Sequence, residues 1–324
     1  MNVPTWLWLT TLLVLAAVIV IDLVTVDRRP HAFSTREASV WVSVYVAMAG
    51  LFAVFLWLNF GSTWSVQFVT GYLTEYSLSV DNLFVFMVIM ASFAVPAAYE
   101  HRVLLIGVVI ALILRGILIL IGAELIHRFS WIFFIFAAFL FFTAVQVWTG
   151  HDREPNHNGN ALVRFLARRV PTSSSFDGTR LTTRMHGHRA ITPMALVMVA
   201  IGTTDLLFAV DSIPAVFGIT QEPYLVFAAN AFALMGLRQL YFLLKGVLGR
   251  LRYLSKGLAV ILAFIGLKLL LEALDAVFGL PVPLIPSWLS LIVIAAVLAA
   301  VVLTSMRDSE DGGEGSGPPA EERG

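Results

Sequence analysis

The chain has 324 residues, 59% of them hydrophobic and 13% charged, against roughly half and a quarter in an average soluble domain; with a mean hydropathy of +0.86, this excludes a soluble globular enzyme. Its 21 basic residues are matched by 21 acidic ones, which removes the electrostatic footprint that nucleic-acid binding needs. No cysteine is present, so disulfides, thiolate metal sites, iron–sulfur clusters and cysteine nucleophiles are out of reach, and any metal must be held by oxygen or imidazole.

A spanning helix takes about 20 apolar residues. Runs of that length predict an all-α polytopic membrane bundle of about nine transmembrane helices, near residues 6–26, 38–58, 65–92, 103–123, 131–148, 191–216, 225–248, 257–278 and 288–305. The first run lacks a basic leader and is too long for the apolar part of a secretory signal, so it reads as a retained span. Lys and Arg then set the orientation, because basic loops stay cytoplasmic. Arg28, Arg29 and Arg36 follow the first span, Arg102 the third, seven Arg between 153 and 189 the fifth, Lys245 to Lys256 the seventh, and Arg307 the ninth. The alternate connections carry no Lys or Arg, apart from Arg128 between spans four and five. The N-terminus is therefore expected outside and the C-terminus in the cytoplasm.

Residues 1–305 read as one transmembrane transporter domain. It includes a cytoplasmic loop, 150–189, whose Pro, Ser, Asn and Arg content predicts a flexible connector. Residues 306–324 mix Gly, Pro, Ser, Asp and Glu without apolar periodicity and predict a disordered tail.

Chemistry enters in the third span, where TEYSLSVDNLFVF puts Glu75 and Asp81 within an otherwise apolar helix, and in the sixth, where GTTDLLFAVDSIPAVFGIT does the same with Asp205 and Asp211. An intramembrane carboxylate is costly and is tolerated chiefly where it faces a cavity, a partner or an ion. The two segments match each other: five residues lie between the acids in both, and both end in Val-Asp before a polar residue, Asn82 or Ser212. Downstream, Arg115 in LILRGILIL and Arg238 in LMGLRQLYF occupy similar places in spans four and seven. With the third span running inward and the sixth outward, spans three to five and six to eight form an inverted repeat of three plus three, an architecture that places a transport site where the halves meet.

Residues six apart on a regular helix are separated by about 9 Å along the axis and about 240° around it. Either the helix breaks between the acids, or one acid per repeat reaches the centre. Gly202 and Pro214 predict a local break in the sixth span, whereas the third has no proline before Pro96. Hard oxygen ligands suit Mn²⁺, Mg²⁺ or Ca²⁺, with Asn82 and Ser212 able to add neutral oxygens. The same carboxylates could also take up protons, and competition between metal and proton at one site gives antiport.

At these residues the chain resembles the TerC family of integral membrane proteins, named for tellurium resistance and including manganese exporters of bacterial inner membranes. The resemblance runs over about 22–271 and rests on EYSLSVDNLFVF, RGILILIGAELI, TTDLLFAVDSIPAVFGIT, ANAFALMGLRQLYF and FIGLKLLLE in that order. It implies efflux of a divalent cation, Mn²⁺ above all, bound by the carboxylates that here are Glu75, Asp81, Asp205 and Asp211.

Against this stands plain internal ion pairing, with Arg115, Arg238 and Lys268 neutralising the acids; their expected work is to anchor the bundle, or to act as counter-ion or gate. Four acids against three bases, with Asp22 besides, leave negative charge that a cation could balance. Asn230 reads as an interhelical hydrogen bond, and His151, His157, His186 and His188 as loop composition. Gly107, Ala111, Gly116 and Gly122 suit close helix packing.

The expectation is thus an inner-membrane exporter of Mn²⁺ or another hard divalent cation, driven by protons or membrane potential because no Walker-type loop is present. It catalyses no bond chemistry and needs no cofactor. Its partners are the lipid bilayer and the transported ion, with a homo-oligomer or resistance-complex partners compatible with the sequence. The rival readings are a non-transporting scaffold of a tellurium-resistance or envelope-stress complex, and an exporter of a small organic cation.

Overall fold

A computed structural model describes residues 3–28, 35–129, 131–149, 173, 176, 178, 180–185, 188–244 and 253–311; within the helices, the side chains of Asp22, Asp81 and Asp211 are outside that description. Among the described residues the chain forms nine helices and one hairpin. The helices are α1 (Thr5–Arg28), α2 (Thr35–Phe60), α3 (Ser62–Ser92), α4 (Ala97–Arg128), α5 (Ile132–Trp148), α6 (Pro193–Phe217), α7 (Pro223–Leu244), α8 (Leu254–Phe278) and α9 (Ser287–Asp311). They fall at the nine apolar runs read from the sequence. Six of them contain stretches long and apolar enough to cross a membrane, in α2, α4, α6, α7, α8 and α9.

The helix ends follow local chemistry. Gly61, with φ of 102°, turns the chain between α2 and α3 in a region closed to residues with a Cβ, and its N–H caps the Leu56 and Trp57 carbonyls. Thr192 caps α6 by accepting from the Ala195 N–H, with Pro193 at the first helical position, where its missing donor is harmless. Gly279 ends α8 in the left-handed region, φ 63°.

Three expectations need correcting. Helix α6 runs unbroken from Pro193 to Phe217 with Pro214 inside it. Pro214 lies in the last turn; the carbonyl that loses its partner there is that of Val210, just before Asp211, and the helix nevertheless continues through both acids to Phe217. The loop 150–189 is not wholly an irregular connector, because β1 (Thr182–Met185) pairs antiparallel with β2 (His188–Ile191), Thr182 opposite Ile191 and Met185 opposite His188. The Thr192 hydroxyl donates to the Arg180 carbonyl at 2.6 Å and ties this hairpin to the start of α6. Finally, α9 continues through Asp311, so helix extends past 305; residues 312–324 of the expected tail lie outside the described residues.

The bundle is apolar outside and holds its buried ionisable groups within a largely apolar interior. Leu13 and Leu58 are 70% and 74% exposed, while Glu75 and Arg115 are 0% and 1% exposed. That arrangement suits a lipid solvent, in which ionisable groups retreat from the hydrocarbon to the interior. α3 packs along α7 and α6 along α4; α3 also touches α8, and α6 touches α5. Each contact maps onto its counterpart when α3, α4 and α5 are exchanged for α6, α7 and α8, while the extensive α5–α8 contact maps onto itself. Glycines set the close α4–α6 approach reciprocally: a Cβ on Gly107 would meet Ile201 at 3.1 Å, and one on Gly202 would meet Ile110 at 3.3 Å. α1 and α2 stand outside this exchange. α2 packs on both α3 and α7, and α1 on α4 and α7; Trp8 packs edge-on against Tyr224 at 5.0 Å and Thr11 hydrogen-bonds the Tyr224 hydroxyl at 2.7 Å.

Candidate functional site

Glu75, Arg115 and Asp205 each lie near the middle of a helix, about 18–27 Å from its first residue at 1.5 Å rise per residue. Because α3 and α6 are matched elements of the two halves, their first acids come together at the level of Arg115 on α4. Arg115 Nη2 donates to Asp205 Oδ1 at 3.1 Å and Nε to Asp205 Oδ2 at 3.3 Å, a two-pronged grip that the planar guanidinium makes and a lysine would not. Nη1 donates to Glu75 Oε1, to Asn230 Oδ1 at 2.9 Å and to Ser212 Oγ at 3.3 Å. One guanidinium thus ties α4 to α3, α6 and α7. Asp205, Ser212 and Asn230 are each 1% exposed.

Two carboxylates share this guanidinium, so their formal charges outnumber its own by one. Its acceptors are also not all engaged. Among the described residues, Glu75 Oε2 is buried without a hydrogen-bond partner, as are Asn230 Nδ2 and the hydroxyls of Ser77 and Ser79. The serines stand out because a hydroxyl in a helix ordinarily settles on the carbonyl four residues back. Thr70 does so on Val66, Thr74 on Thr70, and Thr203 on Val199. Ser79, one turn beyond Glu75, does not, although it is fully buried. Glu75, Ser79 and Asn82 are spaced i, i+4, i+7 and so form a single buried oxygen-bearing stripe on α3. On α6 the corresponding face carries Asp205, Ala209 and Ser212.

The predicted site residues therefore divide. Glu75, Asp205, Ser212 and Arg115 are brought together, and Asn82 shares the face of Glu75. Asp81 and Asp211 lie six residues on, along unbroken helix and about 240° around it; their side chains are outside those described. Arg238 is buried on α7, about 12 Å along the axis from Asn230. Lys268 is buried on α8 and faces Glu272 of its own helix at 3.9 Å. Of the three expected counter-ions, Arg115 is the one whose described contacts reach the site acids.

Among the described residues, no group of three or more His, Asp or Glu side chains is close enough to hold a metal by itself. His151, His157 and His186 lie outside the described residues, and of His188 only the backbone is within them. Sequence reasoning underrated Asn230 and passed over Ser77 and Ser79. For Asn230 the available signal was its place among apolar residues in the span matched to that of Arg115; for Ser79 it was the one-turn spacing from Glu75.

Comparison with known proteins adds kinship to this geometry. The family model described as the integral membrane protein TerC family matches residues 60–311. An uncharacterized membrane protein of Myxococcus xanthus is 38% identical over 93% of this chain and 92% of its own length. One of Mycobacterium tuberculosis is 45% identical over 82% and 68%. Alx of Escherichia coli, named for a proposed role as a membrane-bound redox modulator, is 41% identical over 82% and 85%. No solved structure matches the chain significantly.

Proposed function

The chain belongs to the TerC family of integral membrane proteins, and on that premise we propose that it exports a hard divalent cation, Mn²⁺ first among them, from the cytoplasm across a bacterial inner membrane. The observation that carries this reading is the sharing of one guanidinium by Glu75 and Asp205, acids at matched positions of the two halves, with a Glu75 oxygen left unpartnered in the bundle interior. All nine helices are spans in this reading, with the N-terminus outside and the C-terminus in the cytoplasm. The cation moves as the two inverted halves rock about the centre, and no covalent bond is made or broken.

Charge arithmetic supports a divalent cargo. The middle sections of α3, α4, α6 and α7 carry four carboxylates, Glu75, Asp81, Asp205 and Asp211, against two guanidiniums, Arg115 and Arg238. Two negative charges remain, the charge of one divalent ion, while Lys268 and Glu272 offset each other on α8. Asp81 and Asp211 are the core ligands proposed, Glu75 and Asp205 complete the site or form an adjacent one, and Asn82 and Ser212 supply neutral oxygens. Arg115 is the tethered counter-charge that competes with the cation for the same oxygens. Protons can take the cation's place on the return, which couples export to the proton gradient or the membrane potential.

The name of Alx suggests a second reading, but this chain has no cysteine, so it cannot exert a redox effect through a thiol couple. A non-transporting scaffold draws on the same ion pairs, and the two readings part on what neutralising an acid does. Cells relying on this chain for Mn²⁺ efflux should hold less cytoplasmic Mn²⁺ with the parent than with Asp205→Asn, at equal membrane levels of both. Equal Mn²⁺ content in the two would favour the scaffold.

A further inference from the structure

A groove of about 450 Å³ opens at one end of the bundle, where the C-terminus of α5, the N-terminus of α8 and the last turns of α9 meet. Its volume is within the range of small-ligand clefts, about 300–1,000 Å³. The floor is apolar, made by Val260, Val297, Ala300 and Val301, and the rim carries Trp148, Tyr253 and Lys256. Gly257 brings α8 so close to α9 that a Cβ there would collide with Val301. Beside that contact the Tyr253 N–H reaches Ser305 Oγ at 3.5 Å and joins the two helices at the groove's end.

The lining has the chemistry of an anionic amphiphile. Lys256 is the one charged group among the described lining residues; it is exposed and lies 5.6 Å from the centre of the Tyr253 ring. Trp and Tyr mark the level of lipid headgroups, and Trp148 is 57% exposed there. We propose that this groove binds an anionic phospholipid, with one acyl chain along the apolar floor between α8 and α9 and the phosphate at Lys256. The site stands independently of the cation-transport reading, since its lining shares no residue with the central cluster.

The test uses the full chain purified in detergent, titrated with phosphatidylglycerol or with zwitterionic phosphatidylcholine, and read by native mass spectrometry as lipids retained per protein. Lys256 and Ala300 are exposed, so Lys256→Gln and Ala300→Trp leave the buried packing alone. The parent should retain one phosphatidylglycerol in preference to phosphatidylcholine. Lys256→Gln should cut that preference about fivefold, the contribution of one basic residue beside an anionic surface, and Ala300→Trp should abolish the tight site by filling its floor. Equal retention of both lipids by the parent, or retention unchanged in both variants, would overturn the assignment.

Discussion

Arg115 holds together side chains from both halves of the bundle, and its neighbours differ in how firmly they are held. Breaking a buried ion pair by removing one partner strands the other charge and costs about 3–5 kcal/mol, whereas replacing both partners with groups of similar shape costs far less. Glu75→Gln and Arg115→Gln should each lower the melting temperature in detergent, and the double variant should recover part of the loss, with a coupling of about 0.5–3 kcal/mol. Strict additivity of the two single effects would mean that the pair observed between these residues is not an energetic unit. Ser79 gives the opposite prediction. Its hydroxyl is buried and makes no hydrogen bond among the described residues, so Ser79→Ala should leave thermal stability unchanged or slightly raised. If its oxygen serves the cation along the α3 stripe, the same variant should slow Mn²⁺ flux several-fold; unchanged flux would reduce Ser79 to packing. The acids themselves were legible in the sequence, because a carboxylate within an apolar run needs a reason. Which of them meet was not. Spacing shows that residues six apart face different ways, but it cannot say which face turns toward Arg115. That depends on how α4 and α6 pack, and the Gly107–Ile201 and Gly202–Ile110 contacts join residues far apart in the chain.

Helices were the most legible level, since each of the nine apolar runs bounded by Gly, Pro and charge coincides with a helix among the described residues. What the sequence misled on was continuity. A proline three residues past Asp211 looks like a breaker, yet in the last turn of α6 it only hastens an end that Gly218 completes. The four-residue strands Thr182–Met185 and His188–Ile191 are short and rich in Thr, Arg and His, so they leave no apolar run in the sequence. Packing between helices makes its own prediction through Gly218. A Cβ there would stand 2.6 Å from Ile265 Cγ2 and 3.0 Å from Leu269 Cγ, so Gly218→Ala should destabilise by about 1–3 kcal/mol through overpacking against α8. Gly50, on α2, has nothing within 4 Å of such a Cβ, and Gly50→Ala should be neutral or stabilising by up to about 1 kcal/mol. Thermal unfolding of the two variants side by side checks both; equal behaviour would mean that the α6–α8 contact is looser than described.

For the molecule as a whole, the exchange of α3, α4 and α5 with α6, α7 and α8 is what turns a pair of buried acids into a proposed pathway. A single helix with two carboxylates is a liability in lipid; two such helices bridged by Arg115 let their acids meet inside the bundle, as the proposed transport requires. Packing within the bundle fits that division, with α5 meeting α8 across it, while α1 and α2 have no counterpart in the exchange and lie against α3, α4 and α7. The most direct test is Mn²⁺ flux into proteoliposomes containing folded, oriented protein under an imposed pH gradient, with the parent compared against Asp81→Asn and Asp211→Asn. Gradient-dependent flux in the parent, abolished by either substitution, is the result predicted here; flux that survives both substitutions, or no flux of any divalent cation from correctly inserted parent protein, would contradict a carboxylate transport site.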